Sequence, residues 1–261
     1  MNEIVRIRIT SVTIFLLPLL AINLGLLFNN YISLYNIDNY KFIIFLYDKF
    51  PILEIIHLDA LEKHYLLTKP TFPYIDGEIS ISAAVRGYYI NYFIFKPFIF
   101  LCCVFMLLYW YNYKNFLNKV IKTKKTEINY FFIMGVASAF FLFLHAYFLG
   151  RPDWKELYDV NFYRLFRRFI IISFILLTLI AQLLLVITLT KIRKSIDQLI
   201  KQKILWIKLF FTIFLIVLTI SIALTMGLVD HNDIFNNITE WNYFLLIMID
   251  CLLSFFIWKK T

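Results

Sequence analysis

The chain has 261 residues, of which 61% are apolar, 20% aromatic and only 16% charged, with a net charge of +9. Soluble domains hold about a quarter charged residues, so this composition excludes a soluble globular protein and reads as an integral membrane protein. The three cysteines, Cys102, Cys103 and Cys251, all lie in apolar runs, which leaves none for a disulfide in an exposed loop.

Six apolar windows are long enough to cross about 30 Å of hydrocarbon: 10–28, 89–111, 129–149, 169–189, 209–229 and 241–258. The predicted fold is all-α, a polytopic membrane protein formed by a single six-transmembrane-helix bundle, with a long first outer loop at 29–88 and both termini cytoplasmic. Arg6 and Arg8 precede the first window as in a signal peptide, but the window is too long and no small-residue cleavage site follows, so a retained anchor helix is expected. With this orientation the inside segments hold 15 basic and 3 acidic residues and the outside loops 10 and 13. That is the positive-inside bias, and it accounts for the net charge without nucleic acid. Tyr109, Trp110, Tyr111, Trp206 and Trp258 mark the inner boundary and Trp241 and Tyr243 the outer one.

Taken in order, the first outer loop holds a stretch from Pro51 to Leu67 that is apolar nearly all round as a helix, hence a cap packed under other chain. His57 and His64 lie seven residues apart, about 10 Å along a helix axis, too far for one metal ion. No metal or other cofactor is expected. A turn at Asp76-Gly77 follows, after which Ser80 or Ser82 caps the approach to the second span. Lys96 sits early in that span, and Pro97 should kink it.

The inside segment 113–127 carries Lys114, Lys119, Lys122, Lys124 and Lys125. In 191–208, Ile192, Ile196, Leu199 and Ile200 share one helical face with Lys194, Lys201 and Lys208 opposite. That pattern suits either a basic helix on anionic headgroups or a plain extension of the flanking helices. Gly135, Ala137, Ser138 and Ala139 form a small-residue patch for close helix approach in the third span. Arg164, Arg167 and Arg168, at i, i+3 and i+4, share a face at the outer mouth of the fourth span. They either pair with Asp230, Asp233 and Glu240 or hold a lipid phosphate, which the planar guanidinium fork suits. Asn237-Ile238-Thr239 is a glycosylation sequon, meaningful only in a secretory-pathway host.

Asp250 falls nine residues into the sixth window, near mid-membrane, where an ionised carboxylate costs about 2.5–3.5 kcal/mol. Lys96 is the other formal charge well inside a window, and a Lys96–Asp250 ion pair would offset both penalties. His145 and Gln182 add polar groups that need partners, as does Asn23. The candidate intramembrane site is therefore Lys96, His145, Gln182 and Asp250, read as interhelical bonding, as a proton relay, or as acid–base machinery.

The segment Pro73-Tyr74-Ile75-Asp76 to Ile81-Ser82-Ala83-Ala84, together with the basic Lys96 early in the second span and the acidic Asp250 in the last, resembles the six-helix membrane family that groups the DRAM autophagy modulators with a Golgi GPI-anchor remodelling factor and the Frag and Sfk proteins. In place of the family's histidine and small residues ahead of the fourth span, this chain has Asp159-Val160-Asn161 and three arginines. The resemblance implies a membrane protein tied to lipid composition, lipid-anchor processing or membrane regulation, with no cofactor. It makes the outer-loop motif Asp76, Glu78, Ser80, Ser82 and Arg86 a partly buried, outward-facing site.

These features lead to a protein that binds, senses or helps process lipid at the outer leaflet. The reading leans against an enzyme, because no Ser-centred nucleophile motif, His-x-x-x-His pair or Gly-rich phosphate loop is present. The alternatives are a small proton- or cation-coupled secondary transporter using Asp250, and a membrane-embedded acyl hydrolase or transferase. The expected partners are membrane lipids, with a protein partner or a second copy of the chain left open. The expected location is a bacterial inner membrane.

Overall fold

A computed structural model of the protein describes residues 3–35, 70–86, 89–121, 125–149, 160–228 and 233–259. They form seven helices: α1 (Glu3–Tyr35), α2 (Ile81–Arg86), α3 (Tyr89–Val120), α4 (Lys125–Phe148), α5 (Val160–Ile192), α6 (Gln202–Leu228) and α7 (Asp233–Ile257). All but the short α2 are long and apolar enough to cross a membrane. The protein is all-α with six spans, as expected. Among the described residues the only β pairing is a single antiparallel bridge between Ile200 and Trp258. The stretch 51–67 with His57 and His64, Lys122, Lys124, Asp159 and Asp230 lie outside the described residues.

The helices outrun the apolar windows, α1 beginning at Glu3 and ending at Tyr35 where the window covered 10–28. A helix is bounded by where its hydrogen-bond ladder stops, and that need not be where the hydrocarbon stops. Pro97 does not end α3, which runs through it as α1 runs through Pro18. The chain divides into two compact units, one of Met1–Leu19, Phe98–Asp230 and Tyr243–Thr261, the other of Leu20–Pro97 and His231–Asn242. Two of the cuts thus fall beside Pro18 and at Pro97, where a missing N–H interrupts the ladder.

In the first unit, the small-residue patch of α4 does what its composition suggests. The indole of Trp110 lies flat on Gly135, so close that a Cβ there would stand 2.3 Å from a ring carbon. Ser138 turns its hydroxyl back to the Gly135 carbonyl at 2.7 Å, as Thr10, Ser11, Thr178, Thr188, Thr212 and Thr219 also do toward carbonyls one turn earlier. In hydrocarbon such a hydroxyl has few other partners. Between α4 and α5, Phe148 meets Phe166 edge-on at 5.3 Å and the Tyr163 hydroxyl donates to the Phe148 carbonyl.

The end of this unit that carries both termini is tied by backbone. Lys201 N–H donates to Ile257 O at 2.7 Å and Lys259 N–H to Leu199 O at 2.9 Å, while Trp258 is buried against Tyr113 and Phe116. The basic helix considered for 191–208 does not form. Instead α5 stops at Ile192, Arg193–Ile196 make a 3₁₀ turn, and α6 starts at Gln202. Ile196 and Ile200 are buried in protein, which favours a tight turn over a helix lying flat.

In the second unit, the segment 70–86 is docked by side-chain amides. Asn30 clamps the backbone of Thr71 with both ends of its amide, at 2.7 and 3.0 Å, and Asn23 meets the Tyr74 hydroxyl at 3.2 Å. From the first turns of α7, Asn237 donates to Gly77 O, Trp241 to Ile79 O and Asn242 to Tyr74 O, each at 2.8 Å. Gly77 has φ +62°, and a Cβ there would meet the Ile234 carbonyl oxygen at 2.3 Å. Both the conformation and the space require glycine.

Large apolar side chains are exposed in stripes at helical spacing: Leu16, Leu20, Leu24 and Leu27 on α1; Phe162, Leu165, Phe169, Ile172, Leu176 and Ile180 on α5; Ile207, Phe210, Phe214 and Val217 on α6. In water such stripes would drive aggregation. Along helices of this length they are the faces a bilayer covers.

Candidate functional site

Asp250 stands on α7 with both carboxylate oxygens engaged by α6. Lys208 Nζ lies 3.3 Å from Oδ2, with the two side chains 0% and 2% exposed, and it also donates to the Asp250 backbone carbonyl. Thr212, one turn along α6, has its hydroxyl 2.8 Å from Oδ1 and 2.9 Å from the Lys208 carbonyl. It has one proton to give, and the charged acceptor forms the stronger bond.

Asp250 was paired with Lys96 from sequence; the lysine the structure puts on it is Lys208. Lys208 was missed because the fifth window opened at 209 and consigned it to a solvated inner face. The helix in fact starts at Gln202, which carries Lys208 about 9 Å along the axis. Asp250 keeps its place along the helix, since the window ending at 258 puts it eight residues from the inner end. Seven residues separate it from the end of α7, roughly 10 Å, so the two charges share a depth near the end with the termini. An apolar run with a lysine and a threonine at i and i+4 was the available signal.

Next to this pair runs a second buried polar group. Ser254 and Tyr109 share a hydrogen bond at 2.8 Å, the Tyr109 hydroxyl donates to Gln182 Oε1 at 3.2 Å, and Gln182 Nε2 approaches Cys251 Sγ at 3.9 Å. Gln182 is thus a helix-linking residue between α3, α5 and α7. Of its partners, the sequence marks Tyr109 as a boundary aromatic and places Cys251 in an apolar run, and no local pattern singles out Ser254. His145 is on α4, half-buried, with Nδ1 buried and without a hydrogen-bond partner among the described residues; the cation acting on it is Arg167. Lys96 is half-buried in the other unit.

On α5, Arg167 is half-buried with its guanidinium 5.7 Å from the Tyr163 ring centroid. Arg168 is exposed among Leu165, Phe169 and Ile172, on the stripe facing lipid. Arg164 lies on the same helix, with its side chain outside the described residues. Asp233 and Glu240, offered as counter-charges, belong to the other unit.

Two residues of the outer-loop motif have local structural roles. Asp76 braces its turn by accepting from Phe72 N–H at 2.6 Å and Glu78 N–H at 3.1 Å. Ser80 caps α2, its Oγ accepting from Ala83 N–H at 3.1 Å, in the N3 geometry of a helix cap. Glu78 is exposed and Ser82 half-buried; Arg86 ends α2, and its side chain lies outside the described residues. Burial of the Tyr74 ring pushes its phenol above the ordinary range despite the Asn23 bond, which acts the other way. Among the described residues no group of three His, Cys, Asp or Glu side chains is placed to hold a metal ion.

Fold and site together define a six-span helical integral membrane protein with a buried interhelical ion pair. The chain matches no protein-family model, no curated protein and no solved structure.

Proposed function

We propose that this protein is a non-enzymatic integral membrane protein that binds an anionic lipid headgroup at the outer leaflet through the arginines of α5. The observation that carries the reading is Arg168, an exposed guanidinium standing on a stripe of exposed Phe and Leu at the start of a span. A cation in that position lowers its cost by reaching up to the phosphate plane, and the planar fork suits two phosphate oxygens at once. Arg167, held over Tyr163, supplies a second charge on the same helix face. The resemblance of the 73–84 segment to the DRAM-type family points toward lipid as well.

The charge bias puts the termini in the cytoplasm, and the chain belongs in a bacterial inner membrane. Asp250, neutralised by Lys208 and Thr212, supports a helix tie more than a transport site. The capping bond accounts for Ser80 without nucleophilic chemistry.

The test is native mass spectrometry of protein extracted gently with its lipids, comparing wild type with Arg168→Gln, Arg168→Lys and the triple Arg164→Gln, Arg167→Gln, Arg168→Gln. A stoichiometric anionic lipid is expected on the wild type, weakened by Arg168→Lys and lost in the triple variant. Protein free of lipid, or an adduct indifferent to all three variants, would refute the reading.

A further inference from the structure

The tight turn between α5 and α6 leaves a surface that the arginines of α5 do not explain. Arg193, Lys194, Lys201, Lys203 and Lys259 gather there against one carboxylate, Asp197. Lys194, Lys201, Lys203 and Lys259 are exposed. Asp197 is already engaged: its Oδ1 accepts from Gln202 Nε2 at 2.6 Å and its carbonyl from Lys259 Nζ at 2.8 Å. The backbone bridge of Ile200 with Trp258 holds the turn and the chain end in one arrangement, so the backbone that carries these cations needs no further ordering and only their side chains lose freedom on binding.

Arg193 lies with its guanidinium carbon 5.4 Å from the Trp206 ring centroid. Trp206 is itself 38% exposed and stacks on Phe210 at 6.1 Å. From Trp206 the surface passes directly into Ile207, Phe210 and Phe214, the exposed apolar face of α6. The basic patch therefore ends where the lipid-facing surface begins, and an indole with a stacked cation marks the junction.

We infer that this patch is a second lipid site, which takes the headgroup of an anionic phospholipid from the leaflet at the end of the protein with the termini. Continuity with the apolar face selects a membrane lipid over a soluble acidic protein, because a headgroup bound there keeps its acyl chains along Ile207, Phe210 and Phe214. Arg193, with one face on the indole, presents its fork to the phosphate. Lys194, Lys201 and Lys203 add the long-range attraction that distinguishes an anionic from a zwitterionic headgroup. This site is independent of the α5 arginines, and its reporter lies beside it.

The experiment uses the full chain in phosphatidylcholine bilayers containing a minority of brominated phosphatidylglycerol or, in parallel, brominated phosphatidylcholine. Bromine quenches indole emission at contact, and the difference between wild type and Trp206→Phe isolates the signal of Trp206. Quenching by the anionic lipid should exceed that by the zwitterionic one by about fivefold, the factor one engaged basic side chain contributes at an anionic surface. The preference should vanish in Arg193→Gln/Lys194→Gln/Lys201→Gln. High salt on the wild type should erase it too, which keeps the test intact if the triple variant does not fold. Equal quenching by the two lipids in wild type overturns the site and leaves the patch to a soluble acidic partner. A preference that survives both neutralisation and salt overturns it as well.

Discussion

Removing Asp250 and Lys208 separately and together tests the buried ion pair most directly. Both side chains are essentially inaccessible, at 2% and 0% exposed, so Asp250→Asn leaves an ammonium buried without its counter-ion, and Lys208→Met leaves a carboxylate with only the Thr212 hydroxyl. Breaking a buried pair from one side costs about 3–5 kcal/mol, whereas replacing both partners by apolar groups of similar volume is close to neutral or stabilising. Each single variant should therefore lose most of its folded population, and Lys208→Met/Asp250→Leu should recover it. The assay is the unfolding equilibrium in mixed micelles with increasing denaturing detergent, followed by tryptophan emission, with wild type, Asp250→Leu, Lys208→Met and Lys208→Met/Asp250→Leu compared as a double-mutant cycle. A double variant that falls by the sum of the singles, or an Asp250→Asn protein as stable as wild type, would refute the claim that the two charges compensate each other.

Gly135→Ala would drive a methyl group into the Trp110 indole, at 2.3 Å from a ring carbon, and should cost about 1–3 kcal/mol as overpacking does; an unchanged thermal midpoint would contradict the close α3–α4 packing. Gly77→Ala meets both a φ of +62° and the Ile234 carbonyl oxygen, with about 1–2 kcal/mol from the conformation alone. Hydrogen exchange at 70–80 should rise sharply, and native-level protection would argue against the docking described. Because burial raises the Tyr74 phenol, its folded value lies above the unfolded value of about 10. Its contribution to docking is thus full below pH about 10 and lost as pH rises through the folded value. A fall in protection near neutral pH that Tyr74→Phe abolishes would reverse the sign.

The number and order of the spans were legible in the chain because hydropathy is a local property, read over about twenty residues at a time. So was the role of Ser80, since a helix cap bonds within its own turn, and so was the permissiveness of Gly135, since a missing side chain is visible in one dimension. Helix ends were less legible, because the backbone ladder continues past the last apolar residue, as it does at both ends of α1. That difference alone misplaced Lys208, by moving the start of α6 outward.

What the chain by itself determined is that six stretches must satisfy their backbones as helices in hydrocarbon, and that a carboxylate in the last of them must find a partner. Which partner it finds depends on the rotation and relative height of two antiparallel helices, and no local pattern encodes those. Only the tertiary structure decided that Lys208 and Thr212 meet Asp250, and that Gln182 joins Tyr109 and Cys251. It also decided that Ile196 and Ile200 turn into protein, which gathers the basic residues around them into a compact patch at the end of α5 instead of a helix lying on the membrane. An apolar residue is equally content against lipid or protein, so hydropathy says that it leaves water, and packing alone says where it goes.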